Sequence, residues 1–190
     1  MAMPFTTSLR FGEMGESDIA KWLRKKGHSV LPAYEKEIDT GKGPRLFTPD
    51  ETLVTPDFLI FPDIKFIEAK HKSVFTWHHR TTQWTTGIDL HHYSDYQKVQ
   101  SVTGRKVWLL FLHRLSQPHI IDTRGRADCR HCQKSVSRSC CPQECPTGLF
   151  GASLNHLKEH EHHRHQNQGK HGMVYWWHGD LKCLARIDEL

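Results

Sequence analysis

The stretch Thr55-Pro56-Asp57-Phe58-Leu59-Ile60-Phe61-Pro62-Asp63-Ile64-Lys65-Phe66-Ile67-Glu68-Ala69-Lys70 decides the fold. Phe58–Phe61 and Phe66-Ile67 are aromatic or β-branched runs of strand length bounded by prolines and charges, which predicts a hairpin turning at residues 62–65. That turn sets Phe61 across from Phe66, Leu59 across from Glu68 and Asp57 across from Lys70. Side chains alternate along a strand, so Asp57, Glu68 and Lys70 leave the same face. A slip of one residue would move Asp57 to the other face. Such charges are seldom buried unless they pair or bind metal. Two carboxylates set diagonally, roughly 7–8 Å apart at the backbone, can share one cation. Oxygen ligands suit a hard ion such as Mg²⁺ (or Mn²⁺). A lysine beside it can orient an attacking water or take its proton. The expected chemistry is metal-assisted hydrolysis at a phosphoryl centre.

Residues 11–27 read as an amphipathic helix with Ile19, Ala20 and Leu23 on one face, Trp22 at its edge and Gly27 as its stop. Lys21, Arg24, Lys25 and Lys26 form its solvated side, and those near its end suit the helix dipole. His28–Leu31 follows as a strand, then residues 35–52 as a loop or loose hairpin. After Lys70, His71–Arg80 interleaves basic and aromatic residues, as where phosphates and bases are held. Lys72, Trp77 and Arg80 are candidate nucleic-acid contacts, although Trp77 and Trp84 equally suit loop or core anchoring. Gly87–Val102 reads as a second helix that ends at Thr103-Gly104. Lys106–Leu112 is an unbroken apolar run, expected to be a strand covered on both sides. Pro118–Asp122 would add another strand.

Pro56-Asp57, then Glu68-Ala69-Lys70 after a short hairpin, resembles the PD-(D/E)XK nuclease superfamily, whose members are restriction-endonuclease-like or Holliday-junction-resolvase-like. The order helix, strand, hairpin, helix, strand over residues 12–122 matches that core. The resemblance implies an α/β fold with a central mixed β-sheet flanked by helices, and hydrolysis of phosphodiester bonds in DNA. It implies that Asp57 and Glu68 hold Mg²⁺ with the Ala69 carbonyl, while Lys70 positions or activates the water. The family's first helix often carries a glutamate one turn before its apolar face. This assigns Glu16 to the site, through water, with Glu13 as competitor and helix capping as the other role. Tyr96 and Gln97 resemble the family's accessory residues, while core packing accounts for Tyr93 and Tyr96. The implied partner is duplex or branched DNA, and a homodimer would let both strands be cut.

The chain has 190 residues, a formal charge of +5, 37% hydrophobic and 25% charged residues, the composition of one globular domain. The basic balance fits a polyanionic partner, mildly. No apolar run approaches a membrane span, and Met1–Arg10 lacks the basic start and apolar core of a signal peptide, so the expectation is a cytoplasmic protein. Five of the six cysteines fall between Cys129 and Cys145. In a cytoplasmic chain this spacing predicts a structural zinc knuckle inserted at residues 123–150. Cys129, Cys132 and Cys145 are expected ligands of Zn²⁺ with Cys140 or Cys141 as the fourth, and His131 as a substitute. So small and polar a segment would draw its folding energy from the metal. Cys183 reads as a core residue of a C-terminal strand. Leu154 and Leu157 suggest a helix that frays into the histidine run 160–165, in which His156 and His160 stand one turn apart. Met173–His178 and Lys182–Ile187 read as a strand and return closing the sheet, with Trp176 and Trp177 on opposite faces.

Two other classes fit the same residues. One is a non-cleaving DNA-binding protein on a nuclease fold. The other is a zinc-centred interaction module in which the PD and ExK are accidental.

Overall fold

A computed structural model describes residues 5–33, 44–78, 80–115, 119–121, 127–129, 145–166 and 172–190, with side chains from residue 12 onward and outside 119–121 and 127–129. The elements in chain order are α1 (Phe5–Lys25), β1 (Ser29–Pro32), β2 (Arg45–Phe47), β3 (Thr52–Val54), β4 (Phe58–Phe61), β5 (Lys65–Lys72), β6 (Thr76–His78) and β7 (Gln83–Asp89). They continue with α2 (Leu90–Thr103), β8 (Val107–His113), β9 (His119–Ile121), β10 (Ala127–Cys129), β11 (Gly148–Ser153) and α3 (Leu154–Glu159). The last are β12 (His163–His165), β13 (Met173–Trp177) and β14 (Lys182–Ala185), besides two short 3₁₀ turns.

Helix α1 buries Ile19, Trp22 and Leu23, as its apolar spacing requires, and stops where Gly27 takes a left-handed φ of 88°. It begins before the predicted residue 11. Its buried face packs on Phe58, Ile60, Ile67, Ala69, Leu110, Leu112 and Leu149 of the main sheet. Among the described residues that sheet has six strands in the order β1-β4-β5-β8-β11-β14. The β5–β8 pair is parallel and its other pairs antiparallel, so the sheet is mixed as expected. Strand β8 lies inside it, buried on both faces, which explains its lack of polar alternation.

The hairpin forms, but two residues out of the predicted register. Phe58 pairs with Ile67, Leu59 with Phe66 and Ile60 with Lys65, so the turn is Pro62-Asp63-Ile64. Lys65 enters β5, with its ammonium 3.2 Å from Asp63. An even shift preserves every side chain's face. Asp57, Glu68 and Lys70 therefore stay together, and continuing the ladder one step puts Asp57 across from Glu68 instead of Lys70.

The second face of the sheet is covered by α2, α3 and a second, four-stranded antiparallel sheet ordered β12-β13-β7-β6. Several expectations are corrected here. Gly87–Asp89 is the end of β7, not the start of a helix, and α2 begins at Leu90. Gly87 is used for close approach: a Cβ there would sit 2.2 Å from the Val174 carbonyl oxygen and 2.8 Å from the Tyr175 ring. The predicted strand and return at the C-terminus divides between the sheets, with β13 in the second and β14 at the edge of the first. Trp176 is fully buried and Trp177 is 37% exposed, so these two do face opposite ways. Residues 163–165 form β12 rather than a frayed helix end. Cys183 is exposed on edge strand β14 and is not a core residue.

Of the expected zinc knuckle, Cys132, Cys140 and Cys141 lie outside the described residues. Cys129 ends β10, which pairs with β9. Gly148–Phe150, the last residues of the expected insertion, belong to β11 in the main sheet. Cys145 is buried, its thiol donating to the Leu115 carbonyl at 3.2 Å, and burial pushes its pKa up.

Candidate active site

Asp57 sits just before β4 and is held at two points. Its carbonyl accepts the Ala33 N–H at 2.8 Å, and its Oδ2 accepts the Ala69 N–H at 2.8 Å. The second bond crosses the hairpin and fixes the carboxylate against β5. Glu68 is 1% exposed. Lys70, next but one on the same strand face, sets its ammonium against Glu68 Oε1 as an ion pair. Among the described residues neither Glu68 oxygen receives a geometrically well-formed hydrogen bond, although the Lys70 ammonium and the Tyr96 hydroxyl both lie against the carboxylate. A buried carboxylate is costly unless a cation takes it.

Four acidic and basic groups act on one another here. Burial, then the Glu68 charge, pushes the Asp57 carboxyl well above the usual carboxylate range. Glu16, on α1, is also raised, by burial first, with Lys70 opposing and Glu68 adding to the shift. Burial works to lower the Lys70 pKa, but Glu68 and Asp57 outweigh it and hold the ammonium charged. The field of three carboxyls against one lysine favours an added positive charge. The donor set of two carboxylates beside the Ala69 carbonyl fits a hard divalent cation. Among the described residues no three His, Cys, Asp or Glu side chains are grouped to hold a metal ion.

Helix α2 lays two side chains over this face: Tyr96, expected as an accessory or core residue, and His92, which was not expected. Tyr96, buried, has its phenol pKa raised by burial and then by Glu68 and Asp57, so it stays protonated beside them. Its packing role and its place at the site are one. His92 lies a turn earlier with its ring 6.0 Å from that of Tyr96 and its Nδ1 3.9 Å from Asp89 Oδ2. Burial first, then Lys70, lowers its pKa. The i, i+4 spacing of His92 and Tyr96 on one helix face was the available signal.

Lys72 continues the face of Glu68 and Lys70 along β5, and burial with the Lys70 charge lowers its pKa to about 8. Trp77 packs edge-on against Trp84 at 4.9 Å, on the β6–β7 hairpin. Arg80 is exposed near the tip of that hairpin. Gln97 lies near the Tyr93 hydroxyl, which donates to Glu161 at 2.7 Å. Thus Glu16, Asp57, Glu68, Ala69, Lys70 and Lys72 come together, while Trp77, Arg80 and Gln97 belong to other surroundings.

The raised Asp57 pKa makes a stability prediction. A carboxyl that holds its proton more tightly folded than unfolded contributes stability at low pH and loses it as pH rises through the folded value. Ionised Asp57 therefore costs stability near and above neutrality. Without divalent ions, Asp57→Asn should melt at a higher temperature than the parent at pH 8, and the gap should narrow on acidification. Adding Mg²⁺ should raise the parent's melting temperature more than the variant's. Thermal melts with and without Mg²⁺ check both.

No protein-family model matches the chain, and no curated protein matches it by sequence. Among solved structures, the fold is similar to Hjc, a Holliday junction resolvase of the archaeon Archaeoglobus fulgidus, with 10% identity and a TM-score of 0.44 over 89% of this chain and 90% of that one.

Proposed function

We propose that this protein is a metal-dependent nuclease that hydrolyses phosphodiester bonds in DNA. The observation that carries the reading is Asp57, Glu68 and Lys70 on one sheet face, with the Glu68 carboxylate buried against the Lys70 ammonium. Asp57 and Glu68, with the Ala69 carbonyl, hold Mg²⁺ or Mn²⁺, and Glu16 completes the outer shell. Such an ion, when bound, polarises a phosphoryl oxygen and lowers the pKa of its water. The chain's own groups do the rest. Lys70 positions or activates the attacking water. Tyr96 and the α2 face keep bulk solvent off Glu68. Lys72, with its flexible ammonium, meets a backbone phosphate.

The substrate proposed is duplex or branched DNA, and cutting both strands suits a pair of copies of this chain. Zn²⁺ on Cys129, Cys132, Cys145 and either Cys140 or Cys141 would order the segment they span. Cys145 must then leave the Leu115 carbonyl and lose its proton.

Plasmid cleavage with Mg²⁺ or Mn²⁺, repeated in chelator and with an Asp57→Asn/Glu68→Gln double variant, tests the reading. Cleavage only by the parent and only with the ion is expected. Equal cleavage by the double variant, or cleavage that persists in chelator, would overturn it.

A further inference from the structure

One end of the main sheet holds a cavity of about 590 Å³, within the roughly 300–1,000 Å³ of small-molecule sites. Lys65, Gln100, Arg105, Lys106, Trp108 and Asn155 line it. Strands β5 and β8 are parallel and both begin there: β5 brings Lys65, and β8 brings Trp108 with Lys106 just before it. Gly104 closes α2 with a left-handed φ of 64°, the turn that brings Arg105 and Lys106 to the cavity. Glu68 stands further along β5, roughly 10 Å from Lys65 at about 3.3 Å per residue.

The floor of the cavity is fixed. Gln100 Oε1 accepts the Val107 N–H at 3.1 Å and Gln100 Nε2 donates to Asn155 Oδ1 at 2.6 Å, which ties α2, β8 and α3 together. The Asn155 amide nitrogen is left as a donor. Ser153, also in the lining, accepts the His156 N–H at 3.3 Å and keeps its own proton to give. Lys65 is held by Asp63 at 3.2 Å, whereas the exposed Arg105 and Lys106 form no ion pair among the described residues. Positive charge and N–H and O–H donors are therefore in surplus, and an oxygen-rich anion satisfies them. The half-buried Trp108 narrows the choice of anion. Its indole packs on the apolar cluster beneath α1, and the part left open lines the cavity as a surface for a flat ring.

We infer that this cavity binds a nucleoside phosphate, with the phosphate on Arg105 and Lys106 and the base against Trp108. A guanidinium grips phosphate oxygens in pairs and an ammonium meets them as a point charge. Stacking on an aromatic ring accepts any base. Ser153 and Asn155 remain for the sugar and the base edge. A free nucleotide and a nucleotide within a strand present the same phosphate and base, so the chemistry is shared by both. None of these groups belongs to the carboxylate site, and the inference stands without the nuclease reading.

The test is an NMR titration of the isotope-labelled full chain in chelator, read at the Trp108 indole N–H and the Gln100 and Asn155 side-chain amides. Adenosine monophosphate should move these signals saturably, in the parent and in the Asp57→Asn/Glu68→Gln protein alike. Inorganic phosphate, which has no ring to stack, should bind roughly 10-fold more weakly or worse. An Arg105→Gln/Lys106→Gln variant, altered only at exposed side chains, should lose roughly 10-fold or more of the nucleotide affinity, as the loss of charge-assisted contacts implies. Trp108→Leu, shown to be folded by circular dichroism and read from the two amides, should lose the preference for nucleotide over phosphate. A single-stranded oligothymidylate identifies the source: movement of the same signals at lower concentration assigns the nucleotide to a strand, and its absence assigns a free nucleotide. Adenosine monophosphate that leaves the signals unmoved, phosphate that binds as tightly, or an unchanged Arg105→Gln/Lys106→Gln affinity would overturn the proposal.

Discussion

A Lys70→Ala protein should cleave DNA roughly 10²–10⁴-fold more slowly than the parent, the usual size of a positioned proton-handling group, while binding DNA almost as well. The ammonium of Lys70 sits between Glu68 and Asp57, which hold it charged. From there it can position the attacking water, or take its proton once a bound ion offsets the two carboxylates, as a bond to phosphorus forms. Its removal should act on the chemical step and not on encounter with the nucleic acid. Single-turnover cleavage beside equilibrium binding separates the two. Lys70→Arg should restore little, because the guanidinium is a planar fork where the site needs a compact point charge. A variant whose binding falls as far as its cleavage would make Lys70 a phosphate clamp instead.

The second large effect belongs to the fold. Trp176→Ala should cost about 3–5 kcal/mol, the range for emptying a buried aromatic site. At this chain length that lowers the melting temperature by roughly 6–20 °C. Trp176 is fully buried between the sheets, 5.5 Å from the Tyr93 ring and 6.2 Å from that of Phe111. Its Nε1–H donates to the Leu157 carbonyl at 2.7 Å, tying β13 to α3. Trp176→Phe keeps most of the volume and strands that carbonyl, so it should cost about 1–3 kcal/mol. Denaturant unfolding of the two variants divides packing from hydrogen bonding. An unchanged Trp176→Ala midpoint would contradict a core shared between the two sheets.

The shared face of the two carboxylates and the lysine was legible because alternation is a strong constraint. Asp57, Glu68 and Lys70 keep their common face under any even shift of the hairpin, and the shift that occurred was two residues. For the same reason the true pairing was not legible: alternation cannot see an even slip, and only the turn decides it. The α1 contacts followed from the spacing of Ile19, Trp22 and Leu23, which has one helical solution. The β7 end at Gly87-Ile88-Asp89 was misread because glycine before an apolar residue and an acid looks like a helix start. What selects strand there is the backbone and ring of β13 lying against Gly87, a contact 87 residues along the chain cannot announce. Strand β11 was hidden in the same way, since Gly148, Gly151 and Ala152 carry little strand preference. The adjacent β8 ladder and the close fit of Gly151, whose Cβ would lie 2.4 Å from Leu110 Cδ2, fix it as strand. His92 escaped notice for a related reason. A histidine on an amphipathic helix gains meaning only once the helix is laid over Glu68 and Lys70.

The measurement that bears most directly on the central claim is metal-dependent cleavage by the parent, Asp57→Asn, Glu68→Gln and Lys70→Ala proteins. The substrates are supercoiled plasmid, linear duplex, single-stranded DNA, a four-way junction and RNA, each with Mg²⁺ or Mn²⁺ and with binding measured in parallel. The parent should cut duplex or branched DNA, and each substitution should abolish or strongly slow cutting while leaving most of the binding. A parent that cuts nothing yet binds DNA as tightly as all three variants would contradict that claim, and would make this chain a DNA-binding protein whose carboxylates and lysine perform no hydrolysis.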